Sequence, residues 1–402
     1  MIMQSKNTVY IFMLIGMLAG VSNGIAKIIL PLYAAHLGAS ATQIGLVGGL
    51  QFAGTLLLSL PIGALIGRFG SRVLFRFGGV SCAVVFLFAL SLATSPWQLV
   101  AGVALLGTLN PFRMVTTQAE FLNFMQHADL RKAGWQRAAH SAGMFFLGPL
   151  LGGLMLLVFG FADTLRIVAA GLLLTVLIGD RIMSAAPAAE GVQPVRFVRR
   201  LLDQLQIVRS RADLRQTMLI EFVGQSAMAY FTVFVIFLGV REFGLSAQVA
   251  ATLVSVQGGF FVFTLMTAGG VLSKLSEAQS YLVAFFFILC AQLILTGHYH
   301  YLLLWLSALL FGIGLGLQHI TSVTRFALLT KAFGHGRMAG LFSLAGPAGG
   351  VTGAVLGGVL SDHLGLYAGF RLLVVLYAVM LIVHFARQRL INDEDITIAQ
   401  EG

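Results

Sequence analysis

Charge is what this chain of 402 residues has least of: Asp, Glu, Lys and Arg make up 10% of it, against 58% hydrophobic residues and a mean hydropathy of +0.92. So small a polar complement excludes a water-facing surface all round and implies a membrane protein. Cysteine is nearly missing too. Cys82 and Cys290 both lie in apolar runs, which leaves no support for a disulfide framework. There is no Gly-x-x-x-x-Gly-Lys-Ser/Thr sequence to cradle ATP phosphates and no visible catalytic constellation, so the chain reads as a non-enzyme without a cofactor. Acids are the scarcer sign, 15 against 25 basic residues, for a net charge of +10 at pH 7.

What the chain has in abundance is long apolar runs. A spanning helix needs ~20 mostly apolar residues, and unbroken runs rather than alternating ten-residue segments select helices over a barrel. The expected spans are 8–34, 42–66, 73–94, 97–118, 133–159, 161–182, 216–240, 247–272, 279–297, 301–328, 337–361 and 365–386. The start, MIMQSKNTVY, carries Lys6 and no small-residue cleavage site, so it reads as the first span and not as a removed signal.

Short cytoplasmic loops collect Lys and Arg. All 25 fall on one side of these spans except Lys27 and Arg113 within the membrane and Arg166, Arg241 and Arg371 at the far ends. That side is expected to be the cytoplasm, with both termini, in a bacterial-type inner membrane. The net charge then follows from topology and implies no nucleic-acid partner. Residues 183–215 form the longest polar segment and divide the chain into 1–182, the linker, 216–386 and a tail, 387–402. The linker's Arg196, Arg199, Arg200, Arg209, Arg211 and Arg215, with Leu201, Leu202, Leu205 and Val208, suit an amphipathic helix on anionic headgroups.

The chain also repeats itself. A shift of 206 lays LGASATQ (37–43) on FGLSAQV (243–249), Gln51 on Gln257, GALIGRFG (63–70) on GGVLSKLS (269–276) and Arg131-Lys132-Ala133-Gly134 on Arg337-Met338-Ala339-Gly340. A shift of 205 lays Gly152-Gly153 on Gly357-Gly358, Gly160 on Gly365 and Arg166 on Arg371. Two parallel six-helix copies are the plan of a transporter with its site between repeats.

These features resemble the major facilitator superfamily over essentially the whole chain. Gly63 to Arg72, GALIGRFGSR, is similar to that family's signature in the loop after helix two, with Gly67 where aspartate is usual and Ser71 where a basic residue is common. Gly148-Pro149-Leu150-Leu151-Gly152-Gly153 is similar to the Gly-Pro-x-x-Gly-Gly motif of its proton-coupled exporters, although Gly143 stands one residue from that pattern's upstream glycine. The resemblance implies an all-α membrane fold of twelve helices in two pseudo-symmetric bundles, with helices one, four, seven and ten around a central cavity. Without any family, Gly148, Gly152 and Gly153 suit close helix packing in lipid, and Pro31, Pro111 and Pro149 loosen their helices.

The cavity-lining helices of the resembling family hold most of the deep polar residues here: Asn23 and Lys27, Asn110 and Arg113, Glu221, Gln225 and Tyr230, then Gln318 and His319. A mid-membrane Lys or Arg costs ~3 kcal/mol on insertion scales, so each faces a cavity, finds a partner or snorkels to an interface. Snorkelling is open to Lys27 outward and to Arg113 inward. The 206 shift lays Arg113 on His319, which gives equivalent helices a basic side chain at one level and favours the cavity for both. Cations outnumber Glu221, the one acid clearly inside these helices, so an anionic or carboxylate-bearing solute is expected, with the Arg113 fork as its clamp.

Glu221 is the candidate for proton coupling, with an ion pair as its structural alternative, and Glu120 is expected to pair with Arg68 or Arg72 in a cytoplasmic gate. Met13 with Met17 and His140 with Met144, at helical i,i+4 spacing, keep open a copper importer of the same superfamily. The leading expectation is a monomeric secondary transporter, in the lipid bilayer, that exports a small organic anion such as a siderophore against protons. Import, multidrug export and a non-transporting scaffold are the alternatives.

Overall fold

A computed structural model describes residues 6–125, 133–183, 209, 212–272, 274–333 and 335–401, which contain helices and no strand. In order these are α1 (Lys6–His36), α2 (Ala41–Phe69), α3 (Ser71–Leu90), α4 (Pro96–Met125), α5 (133–159), α6 (161–179), α7 (Ala212–Phe243), α8 (Ala247–Thr267), α9 (Glu277–Ile294), α10 (Leu303–Phe333), α11 (His335–Leu364) and α12 (Tyr367–Glu401). Each expected span falls on one of them. The amphipathic reading of the linker, with Arg196, Arg199, Arg200 and Arg211, lies outside the described residues.

α5 and α6 form a single apolar stretch, Ala138–Gly179, of 42 residues. A straight helix of that length would run about 63 Å, twice the ~30 Å hydrocarbon core. Gly160 breaks it with φ 71° and ψ −174°, a conformation closed to L side chains. Neighbours along α1 show that the chain turns back there. Gly143 abuts Gly20 and Val21, Gly148 abuts Gly24 and Gly152 abuts Ile25, whereas Gly171 lies by Ser22 and Gly179 by Ile15. The two halves run antiparallel, which makes twelve spans among the described residues.

The repeat detected in the sequence recurs in backbone detail. Gly38 and Gly244 both have positive φ, 81° and 66°, and the serines two residues later, Ser40 and Ser246, cap α2 and α8 by accepting from Gln43 N and Val249 N. Gly160 and Gly365 pair likewise, at 71° and 84°.

The bundles meet along two seams. α2 faces α11, where a Cβ on Gly358 would stand 3.1 Å from the Gly45 Cα, and α5 faces α8, where a Cβ on Gly153 would stand 3.5 Å from the Ala251 Cβ. Small residues permit such approach in a bilayer. At the end away from the termini the first seam is latched: Asp362, near the end of α11, accepts from Ala41 N at 2.7 Å and Thr42 N at 2.8 Å, the first turn of α2. At the terminal end the bundles part.

Gly143–Leu147 in α5 is a π-helical turn. In an α-helix five residues turn 500°, which would put Gly143 and Gly148 on different sides. The wider i→i+5 turn, closed by Gly148 N–H to Gly143 O, absorbs one residue and presents both glycines to α1. The one-residue slip of Gly143 in the sequence is this turn.

Candidate functional site

Where the bundles part lies a vestibule of about 500 Å³. Arg113, Thr117 and His140 line it from the first bundle, Gln225, Phe261 and His319 from the second. Its mouth is on the terminal, basic side, where Gln118 is exposed and Met266 is 74% exposed.

Arg113 is 1% exposed. Gly78 and Gly79 of α3 let α4 approach closely enough to cover it, since a Cβ on Gly78 would stand 2.6 Å from Arg113 N. The guanidinium donates to Asn110 Oδ1 at 3.0 Å and reaches Asn23 Oδ1 at 3.5 Å. Asn110 lies three residues earlier on the same helix face, and Asn23 comes from α1. Nε has no partner, and no acid pairs with Arg113 among the described residues. The charge therefore faces the vestibule with amides around it and no counter-ion. It does not snorkel.

His319 lies in the same vestibule, as the repeat predicts, with different company. Its Nδ1 is 3.1 Å from Glu221 Oε1, which also accepts from Gln225 Nε2 at 3.0 Å. Glu221 is buried and His319 half-buried, so the carboxylate has a partner within hydrogen-bond distance at the edge of the vestibule.

Lys27 occupies a separate chamber of about 120 Å³ farther from the mouth, with Gln51, Phe52 and Thr232. Its Nζ sits 4.9 Å from the Phe52 ring centre and 5.1 Å from that of Phe145, within cation–π range. Outward snorkelling is thereby ruled out. Phe145, Gln225 and Met228 border both spaces and stand between them.

Other expected site residues have other roles. Tyr230 is 2% exposed, donates to Leu366 O at 2.8 Å and packs on Phe234 and Phe370. It holds α7 to α12 and lines neither space, because its ring fills the room left by Gly357 and Gly369. Gln318 donates to Ile220 O at 2.8 Å and accepts from Tyr377 at 3.1 Å, so both ends of its amide are engaged inside the second bundle. Asn23 and Asn110 hold Arg113.

The expected gate residues Arg68, Arg72 and Glu120 do not pair with one another in this state, in which the basic side is open. Arg72 donates to Met183 O at 3.1 Å and lies 3.8 Å from Asp180, while Arg76 grips Asp180 through two bonds of 2.5 and 2.7 Å. The Arg76 guanidinium holds the Asp180 carboxyl below the usual carboxylate range. Arg68 lies over the Phe69 ring at 5.2 Å, and Glu120 makes no ion pair among the described residues. Asp180 is nearer because α6 ends beside the start of α3. Of the exporter-like glycines, Gly148 meets α1 backbone, Gly152 meets Ile25 and Gly153 faces α8, with Pro149 beside Gly24. His140 places Nδ1 3.1 Å from Gly16 O.

Sequence reasoning missed Asp362, Asp180 and the aromatic cover of Lys27.

The Major Facilitator Superfamily model matches residues 12–333. None of the curated proteins matches the sequence. Among solved structures, a variant of the nucleoside transporter NupG superposes with a TM-score of 0.79 at 12% identity, over 94% of this chain and 99% of that one. A POT family transporter in complex with 5-aminolevulinic acid superposes with a TM-score of 0.74 at 13% identity, over 96% and 97%. With the family model spanning most of its length and the same helical architecture throughout, the chain belongs to the major facilitator superfamily of membrane transporters.

Proposed function

We propose that this transporter carries a small organic anion, clamped in the vestibule by Arg113, with a proton held by the Glu221–His319 pair. One observation carries the reading: a fully buried guanidinium whose partners among the described residues are amides, at the wall of a cavity between the bundles. A buried charge without its counter-ion is strongly unfavourable, and a carboxylate offers the two acceptors an arginine fork takes. The apolar share of the wall, Phe145, Phe261, Met228 and Leu265, favours a solute with an apolar body behind its charged end. The vestibule opens on the basic side, which the positive-inside bias makes the cytoplasm. The latch at Asp362 closes the other side, and alternating access requires the two to exchange.

Efflux is the direction suggested by the Gly148–Gly153 motif. Its glycines pack against α1 and along the seam with α8, a seam that serves movement either way. The test is uptake by vesicles of both orientations, with and without a pH gradient, over a panel of carboxylates that includes 5-aminolevulinic acid, beside a neutral nucleoside and a lipophilic cation. Arg113→Ala is expected to lower anion flux at least 100-fold with normal insertion, which corresponds to the ~3 kcal/mol of a desolvated charged pair. Movement of the lipophilic cation without any anion defeats the reading. Glu221→Gln should leave anion exchange intact and remove its response to the pH gradient.

A further inference from the structure

The two cations stand in separate spaces. Arg113 faces the 500 Å³ vestibule and Lys27 the 120 Å³ chamber behind it, and the ring of Phe145 borders both. That ring covers the Lys27 ammonium at 5.1 Å and packs edge-on against Phe261 of the other bundle at 5.4 Å. The second cover, Phe52, lies 4.9 Å from the ammonium and fills the space beside Gly350 of α11. Both covers belong to the first bundle and rest on the second. Movement between the bundles therefore moves the covers. Phe145 also sits in the π-helical turn Gly143–Leu147, a local irregularity of the kind found at functional sites in helices.

We propose that Phe145 is the partition of the transport path, so that the anion is held by Arg113 and by Lys27 in turn and never by both at once. The inference rests on the anion reading above. In the state with the vestibule open, the phenyl ring keeps Lys27 from the solute and takes the solute's place over the ammonium. When the bundles rock, Phe261 withdraws its support, the ring leaves Lys27 and the anionic end passes to the lysine. The smaller chamber admits the charged end first, which selects solutes whose charge lies at one end of the molecule. Two cations bound together would hold an anion too firmly to release it. Serving in sequence, they pass it on.

The experiment does not need the natural solute. In a Cys82→Ala, Cys290→Ala background, single cysteines replace Met114, which lines the vestibule, or Gln51, which lines only the Lys27 chamber. Vesicles with the basic face outward are treated with an impermeant methanethiosulfonate bearing a sulfonate or a quaternary ammonium. With Phe145 present, position 114 should react at least 10-fold faster than position 51. Phe145→Ala, with Phe145→Leu as a second variant should the first not insert, should raise the rate at position 51 about 10-fold and leave position 114 unchanged. Equal rates at the two positions with Phe145 intact would overturn the partition, as would a rate at position 51 indifferent to both substitutions. The anion reading is scored separately at position 114, where the sulfonate should outpace the ammonium reagent and lose that advantage in Arg113→Ala.

Discussion

Replacing Asp362 by Asn isolates the latch that closes the side away from the termini. The carboxylate accepts from two backbone N–H groups of the first turn of α2, at 2.7 and 2.8 Å, across the interface between the bundles. A hydrogen bond to a charged group contributes ~1.5–3 kcal/mol when shielded, and a helix N-terminus favours the negative charge by up to ~1 kcal/mol. Asp362 is exposed, however, and water screens such contacts to a fraction of those values. Asn keeps one acceptor oxygen and loses the charge, so the closed side should be weakened by about 1 kcal/mol, a ~5-fold change in the balance between open and closed. Thr232 lies under the seam, in the Lys27 chamber. With Thr232→Cys as reporter and an impermeant thiol reagent on the side away from the termini, Asp362→Asn should speed labelling ~5-fold, and labelling from the basic side should slow. An unchanged rate from the far side, or faster labelling from both sides, would refute the latch, the second result indicating general loosening.

Three further expectations concern residues with distinct roles. Gly148→Ala places a Cβ 2.7 Å from the Gly24 Cα and 2.8 Å from Val21 O, both backbone, so it should destabilise the protein by about 1–3 kcal/mol, whereas Gly153→Ala meets only ordinary contacts of 3.5 and 3.6 Å and should be tolerated; thermal unfolding in detergent compares them. Tyr230→Phe leaves Leu366 O buried without its donor and should cost about 1–3 kcal/mol of stability with no change in the KM for transport, and a raised KM would return Tyr230 to the solute path. Asp180→Asn removes the partner of Arg76 at a site where water screens the pair, so it should lower stability only slightly. Because Arg76 holds the folded carboxyl below its unfolded value of ~3.9, this contribution is complete above that pH and is lost only as pH falls through the lower folded value. The difference in Tm between Asp180→Asn and the unaltered protein should thus be flat from pH 5 to pH 8.

The fold was legible because lipid leaves few options: apolar runs of spanning length must be helices, and the offset of about 206 aligned the two copies down to the capping serines, Ser40 and Ser246. The site was legible only in part. The offset brought Arg113 and His319 to one level, and the vestibule contains both. Residue type alone then placed Tyr230 and Gln318 with them, although polar groups in a bilayer also brace helices to one another, as these two do. Membrane side alone groups Glu120, at the inner end of helix four, with the loop of Arg68 and Arg72, and it cannot show that Asp180 reaches Arg76 from 104 residues away. Aromatic rings that cover an ammonium carry no sequence signal in a chain with 32 phenylalanines.

The repeat is faithful in backbone and unfaithful in charge, and the difference between the halves bears on mechanism. His319 has a carboxylate of its own, Glu221, whereas its counterpart Arg113 has the carbonyl oxygens of Asn23 and Asn110. An acid in place of either amide would satisfy the guanidinium and neutralise it, and a solute would then have to displace a bonded, buried partner. Amides orient the N–H groups without cancelling the charge. On the anion reading, this makes Arg113 preorganised and, among the described residues, still without a counter-ion, so that binding a carboxylate completes its charge pair.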